Sequence, residues 1–231
     1  MERLGFTHFW IAAAATSSAA GSLITFSEGN TLDSNDWLLA LMIGACTGWV
    51  YTFQRWMKRI RNPEQMPIHR LNFMRKHGGR LGVFWTVLAI LSFFYWVFNP
   101  ETTVFIDNGK HWILILLSAI LGIGYAFNPF GKGWRERPHL KLPAIALSWT
   151  IATVIFPAAQ CGLNWNGSEG IYCLGIATSQ ILFVAGITVP FDVRDLHFDP
   201  VEFIAVLRAH ATIFGCLDSR IAGFTGSWIH T

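Results

Sequence analysis

Apolar residues fall along this chain in six blocks separated by short polar segments. The blocks run over about 9–26, 37–53, 81–98, 112–127, 142–159 and 171–190, and a weaker stretch at 201–217 carries Arg208 and His210. Each of the six is close to the ~20 helical residues that cross the hydrocarbon core of a bilayer. Isolated strands are excluded, because an open sheet edge cannot satisfy its backbone groups in lipid. The pattern therefore predicts an all-α, polytopic transmembrane bundle of six spans plus a possible seventh, in one domain covering 1–231. The first block is rich in Ala, Ser and Gly, which suits close helix–helix contact in a membrane. Trp10 opens it as an interfacial anchor would, so a retained span is expected rather than a cleaved signal peptide.

Composition and charge sharpen this picture. Only 13% of the 231 residues are charged and 52% are hydrophobic, whereas an average soluble domain is about a quarter charged. A disordered tail and a nucleic-acid-binding arm are excluded, and the expected surroundings are membrane lipids. With the N-terminus placed in the cytoplasm and one crossing per block, the inner segments carry Arg3, the basic run from Arg55 to Arg80, Lys132, Arg135, Arg137, Lys141 and Arg194. Of the 17 basic residues only Lys110 then falls in an outer loop, with Arg208 and Arg220 unassigned. That is a strong and internally consistent positive-inside bias, which also supports the number of blocks. The longest polar segment, 54–80, reads as a cytoplasmic cap with a short helix near 67–77. Cys46, Cys161, Cys173 and Cys216 have no zinc spacing and read as packing thiols. A Cys161–Cys173 bridge across an outer loop is the alternative.

Candidate chemistry concentrates at 190–200, after the sixth block. Asp192, Asp195 and Asp199 are spaced three and four apart, which on a helix puts three carboxylates on one face. Such a set can hold Mg²⁺, and Mg²⁺ bridges to phosphate oxygens. The alternative is a solvated helix end with Asp192 as a cap. Lys132, Arg135, Arg137 and Lys141 could neutralise a diphosphate, or could be the ordinary topogenic signal. The Arg-rich 55–80 segment faces the same choice, with anionic-lipid contact as a third option.

The run Val189-Pro190-Phe191-Asp192-Val193-Arg194-Asp195-Leu196-His197-Phe198-Asp199 resembles the second aspartate-rich motif of the UbiA superfamily of membrane prenyltransferases, which follows the sixth span. The segment from Trp134 to Pro143, followed by Ala146-Leu147-Ser148-Trp149, resembles the loop and fifth span of a Bacteroidetes-type subgroup. The resemblance covers roughly 6–200. It implies a helical bundle, usually of nine spans, around a lipid-lined cavity. It also implies transfer of a prenyl group from a prenyl diphosphate to a lipid or aromatic acceptor. Asp192, Asp195 and Asp199 would be the catalytic and Mg²⁺-binding residues, and Arg55, Lys58, Arg135, Arg137, Lys141 and Arg194 would contact the diphosphate.

Two departures bear on that implication. Where the family has its first aspartate-rich motif, this chain reads Tyr51-Thr52-Phe53-Gln54-Arg55-Trp56-Met57-Lys58. Tyr51, Gln54 and Lys58 stand at acidic positions. Nine spans need roughly 280 residues, so the bundle is expected to be incomplete relative to nine. Two readings stay open: a prenyltransferase, or a non-catalytic membrane protein on the same scaffold that binds lipid or a partner.

Overall fold

The computed structural model describes residues 8–27, 31–61, 63–98, 110–126 and 138–195. Among these residues the chain is 90% helical and carries no strand. The helices are α1 (Phe9–Phe26), α2 (Ser34–Arg61), α3 (Ile68–Phe98), α4 (Lys110–Ala126), α5 (Pro138–Thr150), α6 (Phe156–Gln160) and α7 (Ser168–Asp195). A 3-10 turn at Pro63–Gln65 links α2 to α3, and a π-helical turn at Ile151–Ile155 joins α5 to α6 into one continuous rod. Met1–Thr188 is one compact unit, and the end of α7 from Val189 belongs to a second.

Among the described residues five helical segments are long and apolar enough to cross a membrane: Phe9–Phe26, Ser34–Arg61, Ile68–Phe98, Leu140–Gln160 and Ser168–Thr188. A shorter apolar stretch, Ile113–Gly122, lies in α4. The expected multi-pass, all-helical class is thus present, with five to six segments of spanning character. The possible seventh span lies outside the described residues. The expected short helix in a separate polar cap is corrected: Ile68 begins a single 31-residue helix that runs through to Phe98. Gly78 and Gly79 do not break it, because two glycines cost only about 2 kcal/mol against the hydrogen bonds of a long helix packed along α2.

The packing is that of a membrane bundle. On α2 the small residues Ala40, Gly44, Gly48 and Thr52 recur every fourth position and are all buried, forming one stripe along the helix. A Cβ on Gly44 would run into the Thr16 hydroxyl and lie 2.8 Å from the Ala12 carbonyl oxygen of α1. A Cβ on Gly48 would lie 2.7 Å from ring atoms of Trp85 on α3. Small residues thus let α2 take α1 and α3 at close range, as helices in lipid require. Ala15, Ala19, Leu23, Leu39, Ala40, Trp96 and Phe156 form the central core, with the Trp96 and Phe156 rings edge-to-face at 5.6 Å. A second cluster, Val154, Ala158, Cys173 and Ala177, seats α7 on the α5–α6 rod. The Gln180 amide adds a bond to Ser18 Oγ of α1 at 3.1 Å.

The outside is as apolar as the inside. Val83, Val87, Leu91, Phe94 and Phe98 on α3, Ile113, Leu116 and Ile120 on α4, and Ile171, Leu174, Leu182 and Phe183 on α7 are all exposed. At about 25 cal/mol per Å², leaving such faces in water would cost more than a domain's net stability. Lipid removes that cost. Cys46, Cys161 and Cys173 are free thiols, so the Cys161–Cys173 bridge does not form; Cys173 is buried as a packing thiol, Cys161 is half-buried and Cys46 is exposed.

A Gly44→Leu substitution should therefore cost about 1–3 kcal/mol, the usual penalty of overpacking. The expected result is a lowered melting temperature in detergent, while Gly21→Ala, where a new Cβ has nothing within 4 Å, melts at or above the parent. Equal melting of the Gly44 variant and the parent would show that the stripe is not a contact surface.

Candidate functional site

Two features meet at the second half of α2. The first is a cavity of about 270 Å³ between α2, α4 and the α5–α6 rod, closed on one side by Phe93 of α3. Met42, Ile43, Val50, Ile115, Ile145 and Phe156 make its apolar wall. Its hydroxyl groups are mostly turned back on their own helices. Thr47 donates to the Ile43 carbonyl at 2.8 Å, Ser148 to Ala144 at 2.6 Å and Thr153 to Trp149 at 2.8 Å. That local bond is how Ser and Thr satisfy themselves in an apolar helix. Ser118 on α4 is the exception, its buried Oγ having no partner. The chamber fits an extended apolar chain or ring, with one hydrogen-bonding group available in its wall.

The second feature is a polar cluster at the end of the bundle where α2 finishes and α3 begins, the basic end. His8, immediately before α1, is 1% exposed. Its Nδ1 lies 2.8 Å from Thr52 Oγ1 of α2, and its Nε2 is buried with no hydrogen-bond partner. Its backbone is left-handed (φ 63°), the one non-glycine residue so placed among the described residues. Tyr51 connects the two features. It lines the cavity, and its ring centroid lies 6.3 Å from that of His8. Gln54, three residues on, is 5% exposed, and its side-chain nitrogen has no partner either. Arg59 ties the end of α2 to α3 through a 3.2 Å bond to the Met74 carbonyl oxygen.

Burial lowers the pKa of His8 to about 3, with the nearby positive charges of Arg55 and Arg70 adding to the effect. All three causes oppose a further positive charge, so the imidazole is neutral across the physiological range.

Of the residues singled out in the sequence, Arg55 and Lys58 lie half-buried on α2 at this basic end, and Lys141, near the start of α5, is buried. Asp192, Arg194 and Asp195 lie on the last turns of α7, but their side chains are outside the described residues. Asp199, Arg135 and Arg137 lie outside them altogether. Among the described residues no three His, Cys, Asp or Glu side chains come together as a metal site. The sequence reading did not single out His8, Thr52 or Arg70. Thr52 was findable, as the last member of the four-residue small stripe; His8 and Arg70 carry no local pattern that marks them. No protein-family model matches the chain, and no curated protein or solved structure is significantly similar to it.

The His8 environment gives a pH prediction. An unfolded chain takes up a proton on His8 near pH 6.5, and the folded one does so only near pH 3. Acidification below 6.5 therefore favours the unfolded form, by on the order of 1–2 kcal/mol at pH 5. Thermal melts in detergent at pH 7.5 and pH 5 should show a larger loss for the parent than for His8→Gln. Parallel losses in the two proteins would mean that His8 is accessible to protons when folded.

Proposed function

We propose that this chain is a UbiA-like multi-pass membrane protein that binds a prenyl diphosphate. The prenyl chain occupies the cavity, and the diphosphate sits at the basic end, on the cytoplasmic side. The observation that supports this most directly is the placement of Tyr51, which lines the apolar chamber and touches the polar cluster at once. A ligand with a long apolar tail and an anionic head matches that sequence of environments. On this reading the prenyl group passes to a lipid or aromatic acceptor. The C1–O bond of the allylic diphosphate breaks, the acceptor bonds to C1, and diphosphate and the acceptor's proton leave. The dry chamber would keep water from the allylic cation, and aromatic faces such as Trp49 and Trp149 would stabilise it.

The carboxylates that would hold Mg²⁺ in this reading are Asp192, Asp195 and Asp199. The basic end of α2 itself does not fit Mg²⁺. Gln54 and Tyr51 offer neutral groups, and Arg55 and Lys58 repel a dication, whereas Mg²⁺ wants an octahedron of hard oxygen ligands. The same observation favours a second reading, a non-catalytic protein on this scaffold that binds prenyl lipid without turning it over.

Binding and turnover separate these readings. Purified protein should bind farnesol in detergent, and Ala119→Phe, which fills the chamber, should weaken that binding by about tenfold, or 1.4 kcal/mol. Membranes carrying the parent should release diphosphate from farnesyl diphosphate faster than membranes carrying Asp195→Ala. Binding with equal release from both selects the non-catalytic reading, and no farnesol binding by the parent overturns the prenyl-lipid assignment.

A further inference from the structure

We infer that the basic end holds a diphosphate group directly, through His8, Gln54, Arg55 and Arg70, without a metal ion. The proposal rests on the prenyl-lipid reading for what carries the diphosphate into the membrane. The site itself stands on four observations about these residues.

Two buried donors are left without acceptors. His8 Nε2 and the Gln54 side-chain nitrogen are both enclosed, on residues 1% and 5% exposed, and neither has a partner. An unsatisfied buried polar group is costly, and folded proteins keep few of them. His8 Nδ1 is the only hydrogen-bond partner of the buried Thr52 hydroxyl; with the hydroxyl as donor no proton of the pair is left unpaired, and the ring proton then sits on Nε2 and makes that atom a donor. An acceptor is what both positions lack.

The field at this point is positive. The positive charges of Arg55 on α2 and Arg70 on α3 both act on the buried His8 ring. Arg70 stands in the first turn of α3, which has no acidic residue. A helix N-terminus already carries partial positive charge, so Arg70 adds to the potential there. Guanidinium forks match phosphate oxygens in shape as well as charge.

The donors are also of the wrong kind for a metal. Imidazole N–H, amide N–H and guanidinium groups all point hydrogens outward, and hard cations need oxygen lone pairs. A diphosphate is the complement, carrying acceptor oxygens and negative charge. Finally, the site lies one helical turn beyond the cavity wall. Gln54 follows Tyr51 by three residues and Arg55 follows it by four, which places both on the same side of α2 as Tyr51. A single amphipathic ligand would span both features.

The test uses the full chain in detergent, with three probes: farnesyl diphosphate, farnesol and inorganic diphosphate, each with excess EDTA or with Mg²⁺. Farnesyl diphosphate is expected to bind equally well in EDTA and in Mg²⁺ and at least about tenfold more tightly than farnesol. His8→Phe and Gln54→Leu should each remove about tenfold of that advantage while leaving farnesol binding unchanged. Gln54→Leu serves if His8→Phe fails to fold, and unchanged farnesol affinity reports an intact fold. Binding of farnesyl diphosphate that disappears in EDTA overturns the proposal, as does equal affinity for farnesyl diphosphate and farnesol; in the second case the prenyl reading survives. Binding of inorganic diphosphate in EDTA, sensitive to Gln54→Leu but without any farnesol binding, supports the site with a free anion as its ligand and removes the prenyl reading instead.

Discussion

The close approach of α2 to both of its neighbours is the constraint on which the rest of this bundle depends. In lipid there is no hydrophobic force to push helices together, because the surrounding tails are as apolar as Leu. What remains is contact at short range. The stripe Ala40, Gly44, Gly48, Thr52 supplies it, with Gly44 against Ala12 and Thr16 and Gly48 against the face of Trp85. The same stripe ends at Thr52, and Thr52 holds His8. Packing and site are therefore one row of residues. Where the row is smallest it makes contact, and where it becomes polar it fixes the buried imidazole of His8 at the basic end.

Polar economy separates scaffold from site. Most hydroxyls along the described spans bond to the carbonyl four residues back: Thr16, Thr25, Thr47, Thr86, Ser92, Ser148, Thr153, Thr178, Ser179 and Thr188. That habit satisfies each group without leaving its own helix, as the absence of water in hydrocarbon demands. The exceptions include Ser118 in the cavity wall, Thr150 beside it at the start of the π turn, and His8 and Gln54 at the basic end, while Gln160 lies apart at the end of α6. A membrane protein keeps an orphaned buried group only at a cost, so the places where the habit fails are the places to look for a ligand.

The spans were legible in the sequence because lipid imposes one rule on every residue of a crossing helix. Blocks at 9–26 and 171–190 correspond to α1 and to most of α7 for that reason. The ends were less legible. α2 continues to Arg61 and α3 begins at Ile68, well outside the apolar blocks, because a helix that emerges into the headgroup region carries Arg, Lys and His without losing its backbone bonds. Composition sees the lipid boundary and not the helix boundary. The cavity was illegible for a different reason. Its walls come from α2, α4 and the α5–α6 rod, and no spacing within one segment encodes a space between three. Arg55 and Lys58 were visible as cations on α2, but the buried His8 on which the charges of Arg55 and Arg70 act precedes α1, and Arg70 stands on α3.

The π turn accounts for the cavity itself. Ile151–Ile155 interrupts the α5–α6 rod, and Trp149, Ala152, Thr153 and Phe156, which flank and include that turn, all face the chamber. A π turn fits an extra residue into one helical turn and shifts every following side chain around the axis. Pro157 follows at once; its ring lacks an N–H and clashes with the carbonyl four residues earlier, which makes the preceding turn the natural place for the widening. The ridge that would otherwise run unbroken along the rod and fill the groove beside α4 is displaced there. Val154, Ala158 and the rest of the far side still pack on α7, so the rod keeps its seat on one face while yielding a chamber on the other. The volume is thus a consequence of a backbone irregularity held in place by packing behind it, which is the arrangement expected when space inside a membrane bundle is kept for a ligand.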